Sequence, residues 1–360
     1  MKLKLEVQPL HATMPGHLVS EEAATENDPQ DPILYPVLTL PNEIVSEIFI
    51  SFLPPYPECP PTFALSTPEL WRAMAFDFDY FKFQPNHRAW GGLVKTWLDR
   101  SQACALSLQI VSTVKYDYGA IKYDDGELYA ILELMEAAAA HCARWEYLKF
   151  HLAQASRIHM FKLDGSRPLL RHLDMRLEYD SRGRSDVSGF RDTPFLCTAV
   201  LNGNVIARGI ILPWMQLASL VLQRIRPSRC SHILKQAPNL IHCELDLVHD
   251  DTFLSEVALP QLEALIFNYQ REFAFEIQYL HCFVVPSLRR LQILELFLGP
   301  SPFNVLESFI SRSGHQLQSI LITRRSQVPK DAYYEAFPSI ELSFEDVPAV
   351  QATGCVSRTS

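Results

Sequence analysis

From Trp145 onward, large apolar residues recur on one template, at positions 0, +3 and +5 of each unit. The units are Trp145/Leu148/Phe150, Leu170/Leu173/Met175, Leu196/Ala199/Leu201, Leu217/Leu220/Leu222, Leu240/Cys243/Leu245, Leu262/Leu265/Phe267, Leu288/Leu291/Ile293 and Leu317/Ile320/Ile322. Successive units begin 25, 26, 21, 23, 22, 26 and 29 residues apart. Side chains alternate between the two faces of a strand, so +3 and +5 share a face and +2 and +4 take the other. The spacing therefore predicts one short strand per unit and a return segment closing it. A single unit cannot bury its apolar face, so stacking of units must build the core.

This period matches the L-x-x-L-x-L strand of leucine-rich repeats, whose length is about 20–29 residues. The fold class expected is α/β: a short N-terminal helical segment, then an irregular leucine-rich-repeat solenoid. Return segments carry helix signals. Ser231–Ala237 is expected to be helical and ended by Pro238, and Asn304–Ser313 is expected to be a helix with Asn304 as N-cap and Gly314 just past its end. Pro238, Pro260 and Pro286 fall at nearly the same phase before their strands. The asparagine usual at +8 occurs once, as Asn204, which predicts irregular turns. Arg171, Arg176, His242, Glu244, Asp246, Gln292 and Glu295 are expected on the outward, concave face, with chemistry too mixed to name a ligand.

Upstream, the division expected is a disordered lead-in over 1–36, a helical segment over 37–75, a connector of helices and strand over 76–144, the solenoid over 145–345 and a disordered tail over 346–360. Pro41 and Glu43 suit a first helical turn, and Ile44, Ile48, Phe49 and Phe52 form its apolar stripe. Pro54 and Pro55 end that helix, and five prolines between Pro54 and Pro61 make a stiff connector. Thr67 and Pro68 suit the start of a short helix leading to Trp71. In the connector, Trp90–Leu98 is expected as a helix and Ala105–Ile110 as a half-buried strand. Asp124–Arg144 is expected as a longer helix with Leu128, Ile131, Leu132, Met135, Ala138, Ala139 and Cys142 on one face.

Composition narrows the function classes. The 360 residues carry a formal charge of −9 with both signs mixed, unlike the basic face that nucleic acid requires. Eight cysteines without a C-x-x-C pair, and the absence of any N-x-S/T sequon, point to reduced thiols in the cytoplasm or nucleus. The most apolar run, Gly209–Leu222, is broken by Pro213 and too short to span a bilayer. No G-x-S-x-G, P-loop, G-x-G-x-x-G or H-E-x-x-H motif occurs, so no catalytic, metal or cofactor site is expected. Three weaker combinations are read as structural: Asp77 with Asp79, His141 with Cys142, and Asp246 with His249, Asp250 and Asp251. Neighbours on a helix diverge by about 100°, so His141 and Cys142 would not face each other.

Leu40-Pro41-Asn42-Glu43-Ile44-Val45-Ser46-Glu47-Ile48-Phe49 resembles the L-P-x-E-I-x-x-x-I-F opening of the F-box. Over roughly residues 33 to 345 the chain is similar to F-box-like proteins of mushroom-forming fungi. The resemblance is carried also by Leu53–Pro61, Leu65–Trp71, Trp97–Ser101, His141–Glu146 and Ile310–Gly314. It implies a substrate-receptor subunit of an SCF-type cullin-RING ubiquitin ligase. Leu40, Pro41, Ile44, Ile48 and Phe49 would face a Skp1-like subunit, with Trp71 a further candidate that packing explains better. The repeats would hold an unidentified protein target. One departure bears on this: the family's helix between the proline connector and S-T-P-x-L-W is absent, and Pro61 runs through Thr62-Phe63-Ala64-Leu65 into Ser66. The alternative is a repeat scaffold that binds protein without a Skp1-like subunit.

Overall fold

The chain divides into two units, residues 1–49 and 50–360. A computed structural model describes residues 71–77, 89–112, 125–154, 165–179, 190–248, 255–268, 279–314, 317–323 and 328–345, all in the second unit. The expected Leu40 helix, the proline connector and both terminal segments lie outside these residues.

The described residues build an α/β structure on one 11-stranded sheet. Its strands are β1 (Ala73–Asp77), β2 (Leu106–Ser112), β3 (Trp145–Gln154), β4 (His172–Tyr179), β5 (Thr198–Asn202), β6 (Ser219–Ile225), β7 (His242–Leu247), β9 (Ala264–Asn268), β11 (Arg290–Leu294), β12 (Ser319–Thr323) and β13 (Glu341–Glu345). Every neighbouring pair is parallel, and strand order in the sheet is strand order in sequence. Two short strands on successive return segments, β8 (Val257–Ala258) and β10 (Phe283–Val284), pair separately. Because β1 and β2 extend the same sheet, the expected boundary at Trp145 has no counterpart in strand pairing.

The sequence template is the register of this sheet. Leu108, Leu148, Leu173, Ala199, Leu220, Cys243, Leu265 and Leu291 align across consecutive strands, continuing through Ile320 to Leu342. All are buried. Ile110, Phe150, Met175, Leu201, Leu222, Leu245 and Phe267 form a second buried row two residues on. Return segments cover these rows with Val205 and Ile206 of α3 (Gly203–Ala207), Ile233 and Leu234 of α4 (Pro227–Leu234), and Leu306 and Phe309 of α5 (Pro302–Ser313). Tyr333 of α6 (Lys330–Ala336) closes the far end. A fully buried side chain of this size contributes about 1.5–3 kcal/mol, so aligned rows are the main attractive term holding the units together.

Two backbone devices set the phase of each unit. Residue 0 donates its N–H to the carbonyl at −3: Leu170 to Arg167, Leu196 to Thr193, Leu217 to Trp214, Leu240 to Ala237, Leu262 to Leu259 and Leu288 to Val285, at 3.1–3.4 Å. Proline fills the second position of five of these turns (Pro168, Pro194, Pro238, Pro260, Pro286) and Pro338 does so before β13, where a fixed φ favours the turn. Next, the carbonyl at +1 accepts two consecutive N–H groups of the following unit. Arg171 takes those of Cys197 and Thr198, Cys197 those of Ala218 and Ser219, and Ala218 those of Ile241 and His242, at 2.8–3.1 Å. Ile241, Glu263 and Arg289 repeat the pattern.

Several local expectations are corrected. α5 starts at Pro302 with Ser301 before it, so Asn304 lies inside the helix, whereas Gly314 does end it at φ 64°. α4 starts at Pro227, four residues ahead of Ser231, because proline is tolerated in a first turn. α1 covers Ala89–Arg100. The long helix, α2 (Asp125–Ala139), is followed by a 3₁₀ turn over Cys142–Arg144 that feeds Trp145 into β3. Glu295 is not on the outward face: β11 ends at Leu294 and a 3₁₀ turn (Glu295–Leu298) diverts it. There Glu295 Oε1 accepts from Val328 N at 3.3 Å and Tyr333 Oη at 3.2 Å.

Candidate binding face

Parallel sheets are usually covered on both faces. Here the face opposite the core, at strand positions +2 and +4, is half-buried rather than sealed through β5, β6, β7 and β12, with Ala264 of β9 buried between them. Its side chains are short and neutral in the middle: Thr198, Val200, Ser219, Val221 and Ile266. Polar chemistry gathers on either side.

On β3 and β4 the register sets Tyr147 beside His172, Lys149 beside Asp174 and His151 beside Arg176. Tyr147 and His172 stack with ring centroids 4.4 Å apart. Asp174 is buried; His151 Nε2 lies 2.9 Å from its Oδ1, while Arg176 Nε and Nη2 donate to its two oxygens at 3.0 and 3.2 Å. Burial alone would raise the Asp174 carboxyl, but the His151 contact and the Arg176 fork outweigh it and hold the group below its ordinary value. Burial, helped by Lys149 and opposed by Asp174, pushes the His172 imidazole down, favouring its neutral form.

On β7, β9 and β11 a neutral-to-acidic ladder runs across three strands. Asn268 Nδ2 donates to Glu244 Oε1 at 2.6 Å, and Gln292 Nε2 donates to Asn268 Oδ1 at 3.2 Å. His242 Nδ1 lies 3.3 Å from Ser219 Oγ. Arg176, His242, Glu244 and Gln292 thus occupy the expected face, Arg171 is exposed at its margin, and Asp246 is buried at the end of β7.

A second feature follows the turns that start the strands. The exposed large apolar residues include Leu169 (39%), Phe195 (54%), Met215 (67%) and Ile241 (45%), one on each of four successive units. The turns are tied side by side: Gln216 Nε2 donates to the carbonyls of Thr193 and Leu196 at 2.6 and 3.0 Å, and Asn239 Nδ2 to that of Met215 at 2.7 Å. The Arg171 guanidinium lies 5.5 Å over the Phe195 ring. The result is an apolar ridge along one margin of the sheet.

Leu40, Pro41, Ile44, Ile48 and Phe49 lie outside the described residues. Trp71 is only 7% exposed; it meets Trp97 edge-on at 4.9 Å, accepts the Trp97 indole N–H on its carbonyl, and carries the Arg100 guanidinium 4.6 Å over its ring. Packing accounts for it. His141 and Cys142 do not form a dyad: His141 Nδ1 turns to Arg144 at 3.4 Å and Cys142 Sγ to the Ser166 carbonyl at 4.0 Å. Cys230 and Cys243 are buried, and burial pushes both thiols up, away from nucleophilic character. Among the described residues, no group of three or more His, Cys, Asp or Glu is placed to hold a metal ion. Nor is any helix among them long and apolar enough to cross a membrane. Asp79, His249, Asp250 and Asp251 lie outside the described residues.

Sequence reasoning missed Lys149, His151, Tyr147, His172 and Asp174 as a group. The signal was present, since these are the +2, +4 and +6 positions of two adjacent units on the same template. No family model matches the chain, and no curated protein matches it.

Proposed function

We propose that this chain is a substrate-receptor subunit of an SCF-type cullin-RING ubiquitin ligase, acting in the cytoplasm or nucleus without catalysis or cofactor of its own. In this reading the sheet is the strand layer of an irregular leucine-rich-repeat solenoid. Its open face and apolar ridge hold the protein to be modified. Leu40, Pro41, Ile44, Ile48 and Phe49 dock in a groove of a Skp1-like subunit, as an apolar helix stripe does. The observation that supports it best is the coincidence of strand order with sequence order, combined with aligned apolar rows on one face and an open polar face on the other. Repeat proteins with that arrangement present extended surfaces suited to proteins. The Skp1-like link rests on the Leu40–Phe49 motif alone.

Co-purification with a fungal Skp1-like protein tests the reading. The wild-type chain is expected to be retained, and Ile48→Asp, which places a charge in the apolar stripe, is expected to abolish retention. A second reading, a protein-binding scaffold detached from the ligase, is favoured by the missing helix at Pro61–Leu65 and by the burial of Trp71 within the second unit. Retention of only a version with that helix restored would select this second reading.

A further inference from the structure

The open face is not electrically uniform. At strand positions +2, +4 and +6, the described lysines and arginines are Lys149 on β3, Arg176 on β4 and Arg290 at the start of β11. The acids at those positions are Asp77 on β1, Asp174 on β4, Glu244 and Asp246 on β7, and Glu341 and Glu345 on β13. The β3–β4 pair is therefore a basic island between acidic strands, in a chain of formal charge −9.

Within the island the charges balance except at one place. Asp174 engages both His151 and Arg176. Lys149, half-buried and in register with Asp174, is engaged by no hydrogen bond or ion pair among the described residues. Beside it the His172 ring is fixed by stacking on Tyr147, in the neutral state that burial and Lys149 favour. An ammonium that no carboxylate oxygen among the described residues engages keeps all three donors for an anionic group arriving from outside. Tyr and Arg on a preordered surface are also the residue types that carry binding energy at protein interfaces.

We propose that the β3–β4 part of the open face receives an Asp or Glu carboxylate, from an acidic segment of the protein bound there, on Lys149 between Tyr147, His172 and Arg176. This rests on the reading of the open face as a protein-binding surface. A carboxylate fits better than a phosphate because a single positive charge is uncompensated and the Arg176 fork is already spent on Asp174; phosphate sites use several free guanidinium or ammonium groups. The acidic strands β1, β7 and β13 would repel the same segment, which fixes where along the sheet it lies.

The test uses the full chain as bait for phage-displayed random 12-residue peptides. Peptides from wild type are expected to be rich in Asp and Glu, and those from Lys149→Glu are not. A synthetic acidic peptide from the selection is expected to bind Lys149→Glu about tenfold more weakly, the scale of one lost charge contact of about 1.4 kcal/mol. Lys149→Glu sets a second carboxylate in register with the buried Asp174 and is expected to lower stability. Lys149→Gln breaks no hydrogen bond or ion pair among the described residues and adds no charge, so its thermal unfolding should match wild type while its peptide selection shows the same loss of acidic enrichment. Selection of peptides without acidic enrichment, or equal enrichment on Lys149→Glu, overturns the inference while leaving the protein-binding reading intact. Failure to select any peptide counts against both. A tenfold gain when the key Glu is replaced by phosphoserine would overturn the choice of carboxylate.

Discussion

A β-carbon on Gly203 would collide with the backbone carbonyl of Arg224, which lies at φ 51° where the register of β6 against β7 shifts between Leu222 and Ile225. The two positions belong to successive units. Asn202 sits just before Gly203, caps α3 through its side chain, and exchanges hydrogen bonds with Leu177 N and O at 3.2 and 2.7 Å. Three units are therefore locked at one point, by an amide on one side and a missing side chain on the other. Gly203→Ala is expected to cost about 1–3 kcal/mol, because the opposing atoms are backbone and cannot swing away. Gly314→Ala meets nothing within 4 Å and strains only its φ of 64°, so about 1 kcal/mol is expected. Urea denaturation of both variants checks the order; equal losses would refute the close approach.

The alternation along each strand makes a second prediction. On β6, Leu220 is fully buried and Val221 beside it faces the open side. Leu220→Ala should cost about 2–5 kcal/mol, and Val221→Ala under about 1 kcal/mol. A reversed order would mean that the register is shifted by one residue, which exchanges the two faces completely.

This register is what the sequence displayed most openly. The 0, +3 and +5 template located the strands because parallel stacking demands the same apolar phase from every unit, and that demand shows in single residues. Helix starts were harder. Pro227 and Pro302 open α4 and α5, yet proline marks a turn as readily as a helix start, and Ser301 offers no side-chain cap to tell the two apart. Glu295 was misplaced because the strand pattern continues past Leu294 in sequence, while the backbone turns away and Tyr333, almost forty residues later, supplies the partner. The resemblance motifs Trp97–Ser101 and His141–Glu146 were legible as separate stretches. Their connection was not: Arg144 donates to the carbonyls of Leu98, Ser101 and Cys104 at 3.5, 3.1 and 2.9 Å, and only the fold brings these together.

Acid should weaken the β3–β4 cluster in two stages. The His172 imidazole is held below its ordinary value, so folding disfavours its proton; stability is intact above about pH 6.5 and declines as pH falls toward the folded value. Asp174 is also held below its ordinary value, so its contribution is present above about pH 4 and is lost as pH falls through the lower folded value. His172→Gln is expected to remove the first decline, and Asp174→Asn to flatten the second while lowering stability near neutrality. Denaturant unfolding between pH 3 and pH 7 separates them. A wild-type curve with no slope between pH 4 and pH 6.5 would be incompatible with a buried neutral His172.

The apolar ridge separates binding from stability most cleanly. Phe195 and Met215 are 54% and 67% exposed, so more than half of each stays outside the fold. Replacing both with serine should change unfolding free energy by no more than about 0.5 kcal/mol each. Phe195→Ser also removes the ring under Arg171, but that guanidinium keeps its contact with Glu146 at 3.3 Å. If the ridge is part of the surface that holds the target protein, the double variant should select a different set of displayed peptides from wild type, poorer in large apolar residues, while its unfolding curve overlays that of wild type. Loss of stability comparable to Leu220→Ala would instead mean that Phe195 and Met215 belong to the core, and an unchanged peptide set would place the contact surface wholly on the open face.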